Sequence, residues 1–143
     1  MNTAKIIDET LLITATYLNL NNKKISDLVV SDKNISGCKY RNIIFKNVIF
    51  VNCNFQGTEI TNCSFFQCQF INCNFGFTKF QNCSLIACKT DNCHFCITNS
   101  LNCNYLSCTY INNIWEESAT IDSKFSKCHT DEVARTPEYA LAA

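Results

Sequence analysis

Cys53-Asn-Phe-Gln-Gly, Thr58-Glu-Ile-Thr-Asn, Cys63-Ser-Phe-Phe-Gln, Cys68-Gln-Phe-Ile-Asn and Cys73-Asn-Phe-Gly-Phe run without a break from residue 53 to residue 77. Each block of five opens on a small residue and carries a large apolar one at its third place. The same step extends in both directions. The large register reads Ile35, Tyr40, Phe45, Phe50, Phe55, Ile60, Phe65, Phe70, Phe75, Phe80, Leu85, Phe95, Tyr105, Tyr110 and Trp115, with gaps only at Thr90 and Ser100. Two residues earlier a second register holds Cys38, Cys53, Cys63, Cys68, Cys73, Cys83, Cys88, Cys93, Cys103, Cys108 and Cys128, eleven of the twelve cysteines. A sustained internal repeat decides an architecture before local propensity does.

A five-residue step fits neither a helix nor a straight strand. A helix would turn about 140° between repeats and spread the Phe residues around its surface, and a strand would send alternate Phe residues to opposite faces. The chain must therefore bend once per repeat. Short extended sides joined by corners allow both registers to point inward around a common core. The exceptions count the sides: between Cys53 and Cys108 the only members of the small register that are not Cys are Thr58, Thr78 and Thr98, twenty apart. Four sides per coil place them in one column, beside columns Cys63/Cys83/Cys103, Cys68/Cys88/Cys108 and Cys53/Cys73/Cys93. Asn recurs at 42, 52, 62, 72, 82, 92, 102 and 112, two residues after the large inward position. Asn tolerates left-handed backbone well, which suits a corner in a chain with only 3 Gly.

The quoted blocks resemble the pentapeptide-repeat family, whose usual pattern is Ala-Asp/Asn-Leu/Phe-x-x. The resemblance implies an all-β fold, a right-handed quadrilateral parallel β-helix. It covers residues 18–127, about 22 repeats or 5.5 coils, a rod on the order of 26 Å long at ~4.8 Å between stacked strands. The chain departs from the family pattern in its Cys for Ala, its few Asp or Asn before the Phe, and its irregular repeats at Lys23, Lys33, Asn113 and Thr120. Residues 1–17 are expected to cap the N-terminal end and residues 128–143 to form a tail, with a short helix from Thr136 that carries Pro137 at its first position. The expected core comprises Phe45, Phe50, Phe55, Phe65, Phe70, Phe75, Phe80 and Phe95, packed over Cys53, Cys63, Cys68, Cys73, Cys83, Cys88, Cys93, Cys103 and Cys108. The final Tyr139-Ala-Leu-Ala-Ala143 resembles the end of the tag that bacteria add to stalled translation products, but Arg135-Thr-Pro-Glu does not match that tag, and an Ala-rich helical tail is the preferred reading.

Composition excludes several classes. Of 143 residues, 47% are apolar and 17% charged, so the chain has a core to bury and is not of the disordered type. A balance of 12 basic and 12 acidic residues speaks against a nucleic-acid partner. No apolar run approaches the ~20 residues of a membrane helix, and Met1–Thr10 lacks the apolar stretch of a secretion signal. The cysteines are accordingly expected as thiols in a reducing cytosol. No metal, cofactor or catalytic residue is expected. In Cys93-His94-Phe95-Cys96 the two thiols face opposite ways, and stacked thiols form a line rather than a tetrahedron. Glu59 and Asp91 fall on opposite sides of the coil, so they cannot share acid and base work.

The informative surface is apolar. Removing the two inward registers leaves Val51, Phe66, Ile71, Phe77, Ile86, Ile97, Leu101, Leu106 and Ile111 outward, where polar residues are the rule. Phe66, Ile86 and Leu106, twenty apart, stack into one stripe; Val51, Ile71 and Ile111 form a second, interrupted by Asp91. The expected function is a non-catalytic protein interaction module or scaffold, such as the rod of a bacterial effector delivered to a host cytosol, docking a protein of unknown identity through these stripes. Two alternatives stand beside it. One is a DNA mimic that binds topoisomerase, as in the quinolone-resistance members of the family; the other is a spacer that self-associates as a homodimer.

Overall fold

The structure, a computed structural model, describes residues 16–131. The expected helix from Thr136 and all but the last two residues of the expected cap lie outside them. Within this range the chain is a parallel β-solenoid of four faces, with no helix. The first face stacks β1 (Asn19–Asn21), β3 (Lys39–Arg41), β5 (Glu59–Thr61), β8 (Lys79–Gln81), β12 (Asn99–Leu101) and β16 (Ala119–Ile121). The second stacks the first halves of β2 (Lys24–Ser31) and β4 (Ile44–Val51), then β6 (Ser64–Phe66), β9 (Ser84–Ile86), β13 (Asn104–Leu106) and β17 (Lys124–Ser126). The third continues the same β2 and β4 with β7 (Gln69–Ile71), β10 (Lys89–Asp91), β14 (Thr109–Ile111) and β18 (His129–Thr130). The fourth begins with bridges joining Asn34, Asn54, Asn74 and His94 and ends with β11 (His94–Cys96) and β15 (Ile114–Glu116).

Every pairing is offset by twenty residues: Leu20 lies under Tyr40, Phe45 under Phe65, Phe50 under Phe70 and Phe95 under Trp115. The inward residues therefore stack on their own kind. Phe55, Phe75, Phe95 and Trp115 form a continuous column with ring centroids 4.8, 5.1 and 4.1 Å apart and planes nearly parallel. Rings on adjacent faces meet edge to face, as Phe50 does with Phe55 at 5.2 Å. Both geometries suit the aromatic quadrupole. Phe45, Phe50, Phe55, Phe65, Phe70 and Phe75 are buried completely.

The small register has a second task. Each inward thiol or hydroxyl donates to a main-chain carbonyl 23 residues earlier: Cys73 Sγ–H to Phe50 O at 3.4 Å, Cys93 Sγ–H to Phe70 O at 3.2 Å, Thr78 Oγ1–H to Phe55 O at 2.8 Å. The same atom can accept a main-chain N–H from the coil below, as Cys38 Sγ does from Leu18 at 3.4 Å and Ser118 Oγ does from Thr98 at 3.1 Å. An Ala in this slot fills the space but bonds nothing; Cys, Thr, Ser and Asn satisfy corner groups that the strand ladder leaves over.

The corners recur more often than the Asn spacing implies. Left-handed backbone occurs at every fifth residue from Asn22 to Lys127, including Asp27, Gln67, Phe77, Ala87, Ile97 and Ser107 as well as Gly37 and Gly57. Asn serves the corners after the first and third faces; the other two rows accept whatever residue stands there. Exposed corner amides add a ladder of their own, with Asn102 Nδ2 donating to Asn82 Oδ1 at 2.7 Å and Asn52 Nδ2 to Asp32 Oδ1 at 3.0 Å.

Candidate functional site

With both inward registers consumed by the core, any chemistry lies on the outer positions of the three-residue strands. The residue before and the residue after each inward Phe point outward, and stacking at twenty residues aligns them in columns. Phe66 of β6, Ile86 of β9 and Leu106 of β13 are in direct register. Phe66 and Leu106 are 38% and 39% exposed, and Ile86 is half-buried. Lys46 stands below Phe66 and Ser126 above Leu106, so the apolar column is three strands wide and bounded by polar residues. On the third face Val51, Ile71, Asp91 and Ile111 follow one another in register, all half-buried. The carboxylate of Asp91 divides this second column.

Several exposed apolar residues escaped the sequence reading: Val29, Ile44, Ile114 and Ile121. Their signal was present, since Val29, Ile44 and Ile114 immediately precede a large inward residue and Ile121 follows the inward Thr120. Ile44 shares the second face with the Phe66 column, and Ile121 lies over Leu101 on the first.

The fourth face carries a different group. His94 and Cys96 flank the inward Phe95 on β11, and Glu116 of β15 sits directly over Cys96. His94 Nε2 and Glu116 Oε1 are 2.8 Å apart, and the donor atoms of His94, Cys96 and Glu116 all lie within 4.8 Å of one another. The sequence reading weighed Cys96 only against Cys93, which points inward, and so missed a partner one coil away.

Buried thiols resist ionisation. Burial is the first cause that pushes the Cys63 thiol up, to about 11, against the opposing effect of nearby main-chain bonds. All twelve cysteines are free thiols. No helix among the described residues is long and apolar enough to cross a membrane.

Residues 34–67 and 49–85 match the family model described as pentapeptide repeats, in 8 copies. No curated protein matches the chain in sequence. Among solved structures, the pentapeptide repeat protein Rfr23 from the cyanobacterium Cyanothece 51142 superposes with a TM-score of 0.64 at 11% identity, over 94% of this chain and 99% of that one. QnrB1, a plasmid-mediated fluoroquinolone resistance protein, gives 0.40 at 18% identity, over 73% of this chain and 59% of its own. HetL, a pentapeptide repeat protein involved in heterocyst differentiation regulation from the cyanobacterium Nostoc sp. strain PCC 7120, gives 0.33 at 6% identity, over 90% and 94%. The likeness to Rfr23 shows a shared fold; the other two are too loose to bear on function. The five-residue step, the coil of four sides and the matched repeats describe one family, and the chain belongs to the pentapeptide-repeat proteins.

Proposed function

We propose that this protein is a non-catalytic interaction module that docks a protein partner through the column of Phe66, Ile86 and Leu106. The observation that carries the reading is the direct register of three apolar side chains on adjacent strands, two of them more than a third exposed. The parallel ladder beneath holds them in fixed positions, so little side-chain or loop ordering opposes docking. Val51, Ile71 and Ile111 extend the surface onto the adjacent face, with Asp91 available to a polar group of the partner. The free thiols support a cytosolic setting, in a bacterium or in a host that receives the protein. The mixed charge of the rod, with Lys79 and Lys89 beside Glu59 and Asp91, does not imitate a duplex phosphate surface, which places the topoisomerase reading second.

The test compares the wild type with a Phe66→Lys, Ile86→Lys, Leu106→Lys triple variant after circular dichroism has shown both to be folded. Affinity capture from bacterial and eukaryotic cytosol is expected to yield a partner retained by the wild type and lost by the variant. Identical partners for both would remove the column from the interface. Light scattering at high concentration separates self-association, in which case the column joins two copies of this chain.

A further inference from the structure

Eleven cysteines occupy the inward register, where their thiols bond main-chain carbonyls or line the core; Cys96 stands outside it. The core gives no reason for a cysteine at this position. On β11 the alternation that buries Phe95 turns His94 and Cys96 outward on the same side, and the parallel register sets Glu116 over Cys96. Glu116 reaches across to His94, with Nε2 and Oε1 at 2.8 Å, while the Cys96 sulfur lies within 4.8 Å of both. One imidazole nitrogen, one thiol and one carboxylate thus converge on a single point of the fourth face.

The three are held by paired backbone rather than by loops. Ile114 N–H donates to Cys93 O, and Ile97 N–H to Glu116 O, each at 2.9 Å, which ties both ends of β11 to β15. The coil beneath brings no competing cation: Asn74 lies under His94 and uses its Oδ1 to accept Gly76 N–H at 2.9 Å. On the solvent side the group opens into a shallow groove lined by Cys96, Ile114, Trp115, Glu116 and Glu117.

We propose that His94, Cys96 and Glu116 form a zinc-binding site on the fourth face, with three protein ligands and a fourth position open to solvent. Zinc takes nitrogen at about 2.0–2.1 Å, thiolate at about 2.3 Å and carboxylate oxygen at about 2.0–2.2 Å in a tetrahedron, so small side-chain rotations suffice to seat it between these atoms. The thiolate and imidazole select zinc over magnesium or calcium, which prefer oxygen donors throughout. Binding replaces the Cys96 S–H bond by a metal–sulfur bond and releases that proton to solvent; the bond between His94 and Glu116 gives way to two bonds to the metal. The site lies on the face opposite the Phe66 column, so metal and partner bind independently.

Cobalt(II) titration of the reduced full-length protein tests the proposal, because a thiolate ligand produces an intense charge-transfer band in the near ultraviolet and tetrahedral cobalt absorbs in the visible. One equivalent is expected to bind, to show both bands, and to be displaced by zinc. Cys96→Ser is expected to abolish the charge-transfer band, and His94→Ala and Glu116→Gln to weaken binding at least about tenfold, as loss of even an outer-shell partner does. An inward control, Cys73→Ala, is expected to leave the spectrum unchanged. All four variants are first shown to be folded by circular dichroism. Absence of stoichiometric cobalt binding would overturn the proposal. A charge-transfer band that survives Cys96→Ser would also overturn it, by assigning the metal to the inward thiols.

Discussion

Ile97 holds a φ of 52° at the corner between the fourth and first faces, in a column that Gly37 and Gly57 begin at φ of 72° and 74°. Glycine meets no steric penalty there, whereas a β-branched residue crowds its own main chain, at a cost of about 1–2 kcal/mol. Phe77, one coil below, is in the same conformation. Since Ile97 is 36% exposed, replacing it removes little buried surface. Ile97→Asn is expected to stabilise the rod by about 1 kcal/mol, seen as a rise of roughly 4 °C in the thermal midpoint. A lower midpoint would show that side-chain contacts at this corner outweigh its backbone strain. The spacing of Asn marked half the corners; the others carry no residue signature because the ladder on either side forces the bend whatever the side chain.

At the scale of a single side of the coil, Asn113 shows why an irregular repeat can still fit. It takes an inward slot held by Cys in the coils below and is 97% buried, its exposure being 3%. Its Oδ1 accepts the Cys93 N–H at 2.8 Å, and its Nδ2 donates to Thr90 Oγ1 at 2.8 Å and Thr90 O at 3.3 Å. Ser123 makes the corresponding bond to Cys103 N–H at 3.0 Å. Asn113→Ala leaves the Cys93 N–H without that acceptor and is expected to cost about 2 kcal/mol in denaturant unfolding. Asn113→Ser keeps an oxygen for the same N–H and is expected to lose about half as much. Equal losses would locate the effect in volume rather than in the hydrogen bond.

Over the whole rod, packing changes character from one end to the other. Ile25, Val30, Ile35 and the Phe residues of the middle coils seal the interior, whereas Thr90, Ser100 and Thr120 replace large residues further on. There a cavity of about 40 Å³ remains among Phe95, Ser100, Tyr105, Tyr110, Trp115 and Thr120, and the buried Trp115 Nε1–H has no partner. Burial raises the ionisation of Tyr40, Tyr105 and Tyr110 as it does that of Cys63. A group whose folded pKa exceeds its unfolded value contributes stability that is complete below the unfolded pKa and lost as pH rises. For Cys63 that window runs from its ordinary 9.0 to about 11. Melting followed under reducing conditions is therefore expected to show a midpoint that falls from pH 9 to 11, and Cys63→Ala is expected to reduce the slope. A midpoint flat across that range would mean that the thiol ionises without leaving the core.

From residues alone came the five-residue step, the coil of twenty and the inward registers, because a solenoid repeats one local environment and each repeat must meet it with the same residue types. The columns of Phe66, Ile86 and Leu106 followed from that arithmetic as well. What the tertiary structure decided lies between coils. That His94 and Cys96 meet Glu116 depends on which side-chain rotamers bring three outward atoms together across the ladder, and a periodic pattern is silent on this because no repeat requires it. The polar contacts of Asn113 and the void beneath Trp115 are likewise settled by the shapes of neighbours twenty residues away, where the repeat is broken and spacing no longer predicts what fills the space.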